Sequence, residues 1–160
     1  MQKTKGFSLI ELLIVVAIIL VIAAIAVPNF LRSRLVANES AAAAGVRTIN
    51  TAQISYYSSY PTVGYATALS SLGGTCTGTS VPTTAGACLI DGVLAGGTKS
   101  GYSFAISNTS TAPNSTYNII AAPVTVNLTG VRYFCSYADA VIRVSETSIT
   151  TCDNTISPQQ

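Results

Sequence analysis

Between Leu12 and Val27 the chain has no polar residue, and the residues just before it, Lys5-Gly6-Phe7-Ser8-Leu9-Ile10-Glu11, strand one carboxylate in a membrane-length apolar segment. From Phe7 to Val27 a helix rising 1.5 Å per residue covers about 31 Å, the thickness of a bilayer's hydrocarbon core. A charge near the middle of such a helix costs on the order of 2.5 to 3.5 kcal/mol even on the lenient insertion scale, so the acid calls for a partner or a task. The first cation downstream is Arg32. If the chain is cut after Gly6, Phe7 gains a free amine that is positively charged at neutral pH. A first-turn acid is already favoured by the helix dipole; the strongest use of Glu11 is therefore between neighbouring chains.

These residues resemble the processing site of type IV pilins and their relatives, the class III signal sequence. The resemblance implies that a prepilin peptidase and methyltransferase cuts after Gly6 and methylates the amine of Phe7. It also implies that Glu11 neutralises a neighbouring subunit's N-terminus during assembly. Lys3 and Lys5 in the short leader would hold the N-terminus on the cytoplasmic side. A proline matching Pro28 is typical of type IVa pilins, whereas their helix-breaking glycine within the membrane run has no counterpart here. A competing reading is an ordinary secretory signal cut after Ala26 in Ala24-Ile25-Ala26, which would release a secreted binding protein. Glu11 would interrupt the apolar region of such a signal.

At 160 residues the chain has room for one modest core plus an appendage. Removing a leader that carries Lys3 and Lys5 leaves six basic side chains against six acidic ones, so no nucleic-acid partner is expected from charge. Arg32 and Arg34 directly after the apolar run suit snorkelling to lipid headgroups. Cys76, Cys88, Cys135 and Cys152 all lie in the polar part, where an exported domain would be oxidised into two disulfides. Three connectivities are open; short loops favour Cys76 with Cys88 and Cys135 with Cys152, each stabilising by roughly 3 kcal/mol. With no His and no C-x-x-C, neither zinc nor another metal is expected.

Pro28 removes a donor and crowds the carbonyl of Ala24, which predicts a kink or local loosening from Ala24 to Pro28. Beyond it Leu31, Leu35, Ala42, Val46, Ile49, Gln53, Tyr56 and Tyr60 recur at three- or four-residue steps, with Arg32, Ser33, Glu39, Ser40, Arg47 and Asn50 on other faces. This stripe predicts an amphipathic helix that covers a sheet and stops at Tyr60-Pro61. The composite helix, roughly 50 residues and about 75 Å, exceeds what a domain of this size can bury. Residues 66–101 are rich in Gly, Ser and Thr and read as loop with a short helix from Tyr65 to Leu72. Tyr102 to Ser107, Tyr117 to Ala122, Val131 to Tyr137 and Ala140 to Ser145 read as strands, the last two joined at Ala138-Asp139. Ser157 to Gln160 is expected to fray. Many pilins carry a disulfide-bounded surface segment, which Cys135 to Cys152 resembles.

Several other chemistries find little support. Asp91, Asp139, Glu146 and Asp153 lie in different segments, and no nucleophile, acid and base are grouped, so an enzyme is not expected and no cofactor is implied. Asp153-Asn154 is too little for calcium. Gly73-Gly74 and Gly96-Gly97 lack the Lys-Ser/Thr of a phosphate loop. Phe7, Phe30, Tyr56, Tyr57 and Tyr60 fit packing better than electron conduction. Asn108-Thr109-Ser110 and Asn114-Ser115-Thr116 match glycosylation sequons.

The expected fold is α+β: a long N-terminal helix, half transmembrane and half amphipathic, packed on a three- to four-stranded antiparallel sheet with two disulfides. The expected organisation is a leader over 1–6, a transmembrane and assembly helix over 7–28, an amphipathic helix over 29–60 and a globular head over 61–160. The expected function, through the resemblance, is a structural subunit of a bacterial type IV pilus that serves adhesion, twitching motility or DNA uptake. Its partners would be identical subunits, the prepilin peptidase, the inner-membrane assembly machinery and, before assembly, membrane lipid. It would be stored as a single-pass inner-membrane protein and end in an extracellular pilus. A pseudopilin of type II secretion would use the same N-terminus in a short periplasmic fibre.

Overall fold

A single helix, α1, accounts for Leu9–Ser59 and carries Pro28 inside it. The computed structural model describes residues 6–74, 81–107 and 112–159. The chain divides after Arg34 into two units, which are taken separately. In the first, helix assignment continues through Pro28. There the Asn29 amide donates to the Ile25 carbonyl at 3.1 Å and the Ser33 hydroxyl to the Asn29 carbonyl at 3.0 Å, so side chains add polar contacts near the bond that proline cannot make.

The second unit begins at Leu35. Its helical part ends at Ser59, as Tyr60-Pro61 requires. Two single-turn helices follow, α2 (Leu69–Leu72) and α3 (Gly92–Ala95). The first is the C-terminal half of the helix expected over Tyr65 to Leu72. The second comes from a capping signal within the loop region: the Asp91 carboxylate accepts from the backbone N–H groups of Val93 and Leu94.

Five strands, β1 (Thr98–Lys99), β2 (Tyr102–Ser107), β3 (Asn118–Pro123), β4 (Tyr133–Tyr137) and β5 (Arg143–Ser145), form an antiparallel meander in chain order. This exceeds the three or four strands expected, because Thr98–Lys99 adds a two-residue edge strand across a turn with Ser100 and Gly101 both at positive φ. Along β2 the alternation works as read: Tyr102 and Phe104 face the core and pair with Pro123 and Ala121. The β4–β5 register aligns Phe134 with Val144 and Cys135 with Arg143, leaving a longer connection than the Ala138-Asp139 link implied.

The core joins helix to sheet. Ala42, Val46, Ile49 and Tyr56 pack in one cluster with Tyr102, Phe104, Tyr117, Ile119 and Phe134. Gly45 permits this approach, since a Cβ there would sit 2.8 Å from the Phe104 ring. Cys135 and Cys152 are disulfide-bonded and buried with Ile149 in a second cluster. Among the described residues it is the disulfide with both partners placed; Cys88 is disulfide-bonded as well and no cysteine is free, while Cys76, its expected partner, lies outside them.

The C-terminal segment is held rather than frayed through Gln159. Val144 N–H donates to the Ser157 carbonyl at 3.0 Å and Gln159 N–H to the Ile142 carbonyl at 2.8 Å, covering the outer edge of β5. Gln160 lies outside the described residues.

Two stability measurements check this packing on the detergent-solubilised full chain. Gly45→Ala is expected to lower the stability of the unit from Leu35 onward by about 1 to 3 kcal/mol through overpacking against Phe104; an unchanged denaturation midpoint would contradict the close approach. Replacing both Cys135 and Cys152 by Ser is expected to remove about 3 kcal/mol. An unaltered melting profile in that variant would show that the bridge is not a structural staple.

Candidate functional site

In the first unit the site is an apolar surface with one acid at its start. Glu11 lies in the first turn of α1. Phe7 is 73% exposed, Leu9 80% and Val21 64%, and the other large side chains of the run are also exposed. The most apolar eighteen-residue stretch has a mean hydropathy of 3.3, none of it buried, so this is a helix long and apolar enough to cross a membrane. Among the described residues no ion pair reaches Glu11. Gly6 and Phe7 precede the helix in extended or irregular backbone. Arg32 and Arg34 are exposed.

In the second unit the same helix offers polar side chains to the head. Glu39 and Asn50, expected on the solvent side, are buried, as is Gln53. The Glu39 carboxylate accepts from the backbone N–H groups of Val131 and Arg132 at 3.0 and 3.2 Å, and from the Arg132 guanidinium at 2.7 Å. Burial opposes ionisation of Glu39, yet the Val131 N–H, the Arg132 side chain and the Arg132 N–H together hold its pKa below the ordinary value. Next to it, Asn38 donates to the Thr129 carbonyl at 2.8 Å.

Asn50 is the centre of a second lock. Its amide donates to the Ser136 hydroxyl at 2.9 Å and the Ala140 carbonyl at 3.2 Å, and its carbonyl accepts from the Tyr117 hydroxyl at 3.1 Å. Gln53 makes a third lock, giving and receiving one hydrogen bond with the backbone of Ala66 at 3.0 and 2.8 Å. The polar groups that Glu39, Asn50 and Gln53 bring inside thus meet partners. The stripe read from the sequence includes Gln53 but sets Glu39 and Asn50 on other faces. A spacing of three or four residues from Glu39 through Ala42, Val46, Ile49 and Gln53 nevertheless places Glu39 on the stripe's own face.

Asp91, Asp139 and Asp153 serve structure. Asp91 caps α3 and pairs with Lys99 at 2.8 Å. Asp139 pairs with the buried Arg143, which also lies over the Tyr137 ring at 4.4 Å. Asp153 accepts from the backbone of Thr155. Among the described residues no group of three or more His, Cys, Asp or Glu could hold a metal ion. Tyr56 stacks near Tyr60, and Tyr57, Tyr65 and Tyr117 follow at centroid spacings of 4.8 and 4.7 Å, a set of packing contacts within the head. Asn114 is buried and donates its amide to the Tyr65 carbonyl, which withdraws that sequon from modification. Asn108 lies outside the described residues.

Residues 1–27 match the family model of the prokaryotic N-terminal methylation motif. The chain is 46% identical over 56 residues to the type IV major pilin protein PilA of Myxococcus xanthus, a stretch covering 35% of this chain and 26% of that protein. It is 55% identical over 40 residues to the type IV wide pilus major component PilA4 of Thermus thermophilus, covering 25% of this chain and 30% of that protein. The matched stretches thus span under a third of either relative. No solved structure matches the chain.

The Glu39 anchor carries a pH dependence of known sign. A carboxylate with a depressed folded pKa contributes stability that is present above its unfolded value, 4.5, and is lost as pH falls through the folded value. Glu39→Gln is expected to destabilise the head at pH 7 by about 2 kcal/mol and to flatten the loss of stability on acidification below pH 4.5. Parallel acid limbs for the two proteins in denaturant titrations would exclude this role.

Proposed function

We propose that this protein is a structural subunit of a bacterial type IV pilus, cleaved after Gly6, methylated on Phe7 and polymerised through its N-terminal helix into a helical surface filament. The observation that carries the proposal is the union of the methylation motif over residues 1–27 with an exposed apolar helix that has one acid in its first turn. Similarity to two major pilus components supports the same reading. On this reading residues 1–6 are the leader, 7–28 the membrane and assembly helix, 29–60 its amphipathic continuation and 61–160 the head.

The mechanism follows from where apolar surface can be hidden. Lipid covers Phe7 to Val27 while the subunit is stored in the inner membrane, and the same segment of other subunits covers it in the fibre. Transfer between two apolar environments changes little hydrophobic energy, so a specific interaction has to favour the fibre. Glu11 supplies it by pairing with the methylated amine of Phe7 on a neighbour, within an apolar surrounding where the attraction is strong and an unpaired charge is costly. Each subunit then uses one donating and one receiving surface, an open heterologous contact that generates a helical polymer. Pro28 is proposed to loosen the helix at Ala24 to Pro28 and ease that packing. The prepilin peptidase acts before polymerisation and the inner-membrane assembly machinery during it, and the finished pilus lies outside the cell, where it serves adhesion, motility or DNA uptake.

Two experiments test the proposal. The mature protein is expected to have the mass of a chain beginning at methylated Phe7; a chain beginning at Val27 would instead identify a secreted protein that has lost its helix. Glu11→Gln is expected to leave membrane insertion and leader removal intact while reducing fibre yield at least about tenfold, the factor equal to 1.4 kcal/mol. Ordinary fibres from that variant would refute the pairing.

A further inference from the structure

The connection between β3 and β4, Val124-Thr-Val-Asn-Leu-Thr-Gly-Val131, turns its apolar side chains to solvent. Val124 is 57% exposed, Val126 48%, Leu128 66% and Val131 38%. Single exposed apolar residues are ordinary, but four on one short segment make an interaction surface. The polar members are used to close the loop on itself. Thr129 Oγ1 accepts from the Thr125 N–H and donates to the Thr125 carbonyl, both at 3.1 Å. The Asn127 N–H donates to the Gly130 carbonyl at 2.9 Å, with Asn127 in the left-handed region at φ 65°. Gly130 sits against Tyr102, where a Cβ would come within 2.7 Å of the ring.

The loop is also fixed to the rest of the head. Glu39 holds Val131 and Arg132, Asn38 holds the Thr129 carbonyl, and Val124 N–H donates to the Gly101 carbonyl at 3.0 Å. Three residues, two on α1 and one in the β1–β2 turn, thus hold a rigid display of aliphatic side chains, a device that reduces the ordering cost of binding a shaped partner. A fluid bilayer surface requires no such rigidity. Membrane-surface elements rely on Lys and Arg beside their apolar residues, and the loop has none; the adjoining Arg132 is engaged with Glu39.

We infer that the Val124–Val131 loop is a docking surface for the Leu12–Val27 segment of a second copy of this chain. That segment is the longest exposed apolar surface among the described residues, and it is supplied once per subunit, matching one loop per subunit. Both surfaces are uncharged and aliphatic, suited to close packing by branched side chains. The inference rests on the pilus reading and adds a receiving element on the head to contacts made by helices alone.

A photoreactive benzophenone amino acid in place of Leu128 tests it, in isolated fibres and in membrane-stored protein. Fibres are expected to give joined chains in which the adduct lies in the tryptic peptide from Phe7 to Arg32 of the second chain, with that adduct absent from the stored protein. Adducts to lipid, adducts to another head, or no adduct would overturn the inference. The double variant Val126→Ser, Leu128→Ser is expected to keep its melting temperature and membrane insertion, because both side chains are exposed, while fibre yield falls at least about tenfold. Undiminished yield in that variant would overturn it as well. Failure of the unsubstituted protein to form any fibre would count against the pilus reading, whereas fibres with adducts elsewhere would count only against the docking loop.

Discussion

The open apolar surface of the first unit sets the terms for the rest of the molecule. Burying aliphatic surface is worth about 25 cal/mol per Å², and the side chains from Phe7 to Val27 leave most of theirs open. Water is a poor environment for such a surface. Lipid or another copy satisfies it, and on the proposed function the acid in its first turn distinguishes the two, because hydrocarbon offers no charge whereas a neighbour's freed N-terminus would. Storage and assembly, as proposed, would use one surface twice.

The head solves a different problem, how a helix rich in small residues can be fixed on a sheet. Ala42, Ala43 and Gly45 allow close approach but contribute little area, so position is set by polar locks. Glu39 captures the β3–β4 connection, Asn50 joins Tyr117, Ser136 and the loop before β5, and Gln53 pairs with the backbone of Ala66. Such bonds contribute modestly when made and cost more when one partner is lost, which makes them better at specifying register than at adding stability. At the far edge of the sheet the Cys135–Cys152 bridge and the Ser157–Gln159 segment do comparable work, closing β5 against strand addition.

Much of this was legible because the signals are local. The apolar run, the stop at Tyr60-Pro61, the alternation in Tyr102 to Ser107 and the pairing of Cys135 with Cys152 follow from periodicity, proline geometry and loop length. Burial of Glu39 and Asn50 was not legible, since polarity on a helix predicts exposure unless the partner is known, and their partners lie about ninety residues away. The edge strand β1 escaped detection because two residues carry no period. Val124, Val126 and Leu128 fall between the strands expected over Tyr117 to Ala122 and Val131 to Tyr137, and no local signal in the sequence singles them out.

The most direct test is a density map of the assembled fibre at a resolution that shows side chains. Leu12 to Val27 is expected to be enclosed by the same segment of other copies, with each Glu11 carboxylate within about 4 Å, the reach of an ion pair, of the Phe7 amine of a neighbour. Fibres in which that helix remains uncovered, or in which Glu11 faces solvent or only its own N-terminus, would contradict it.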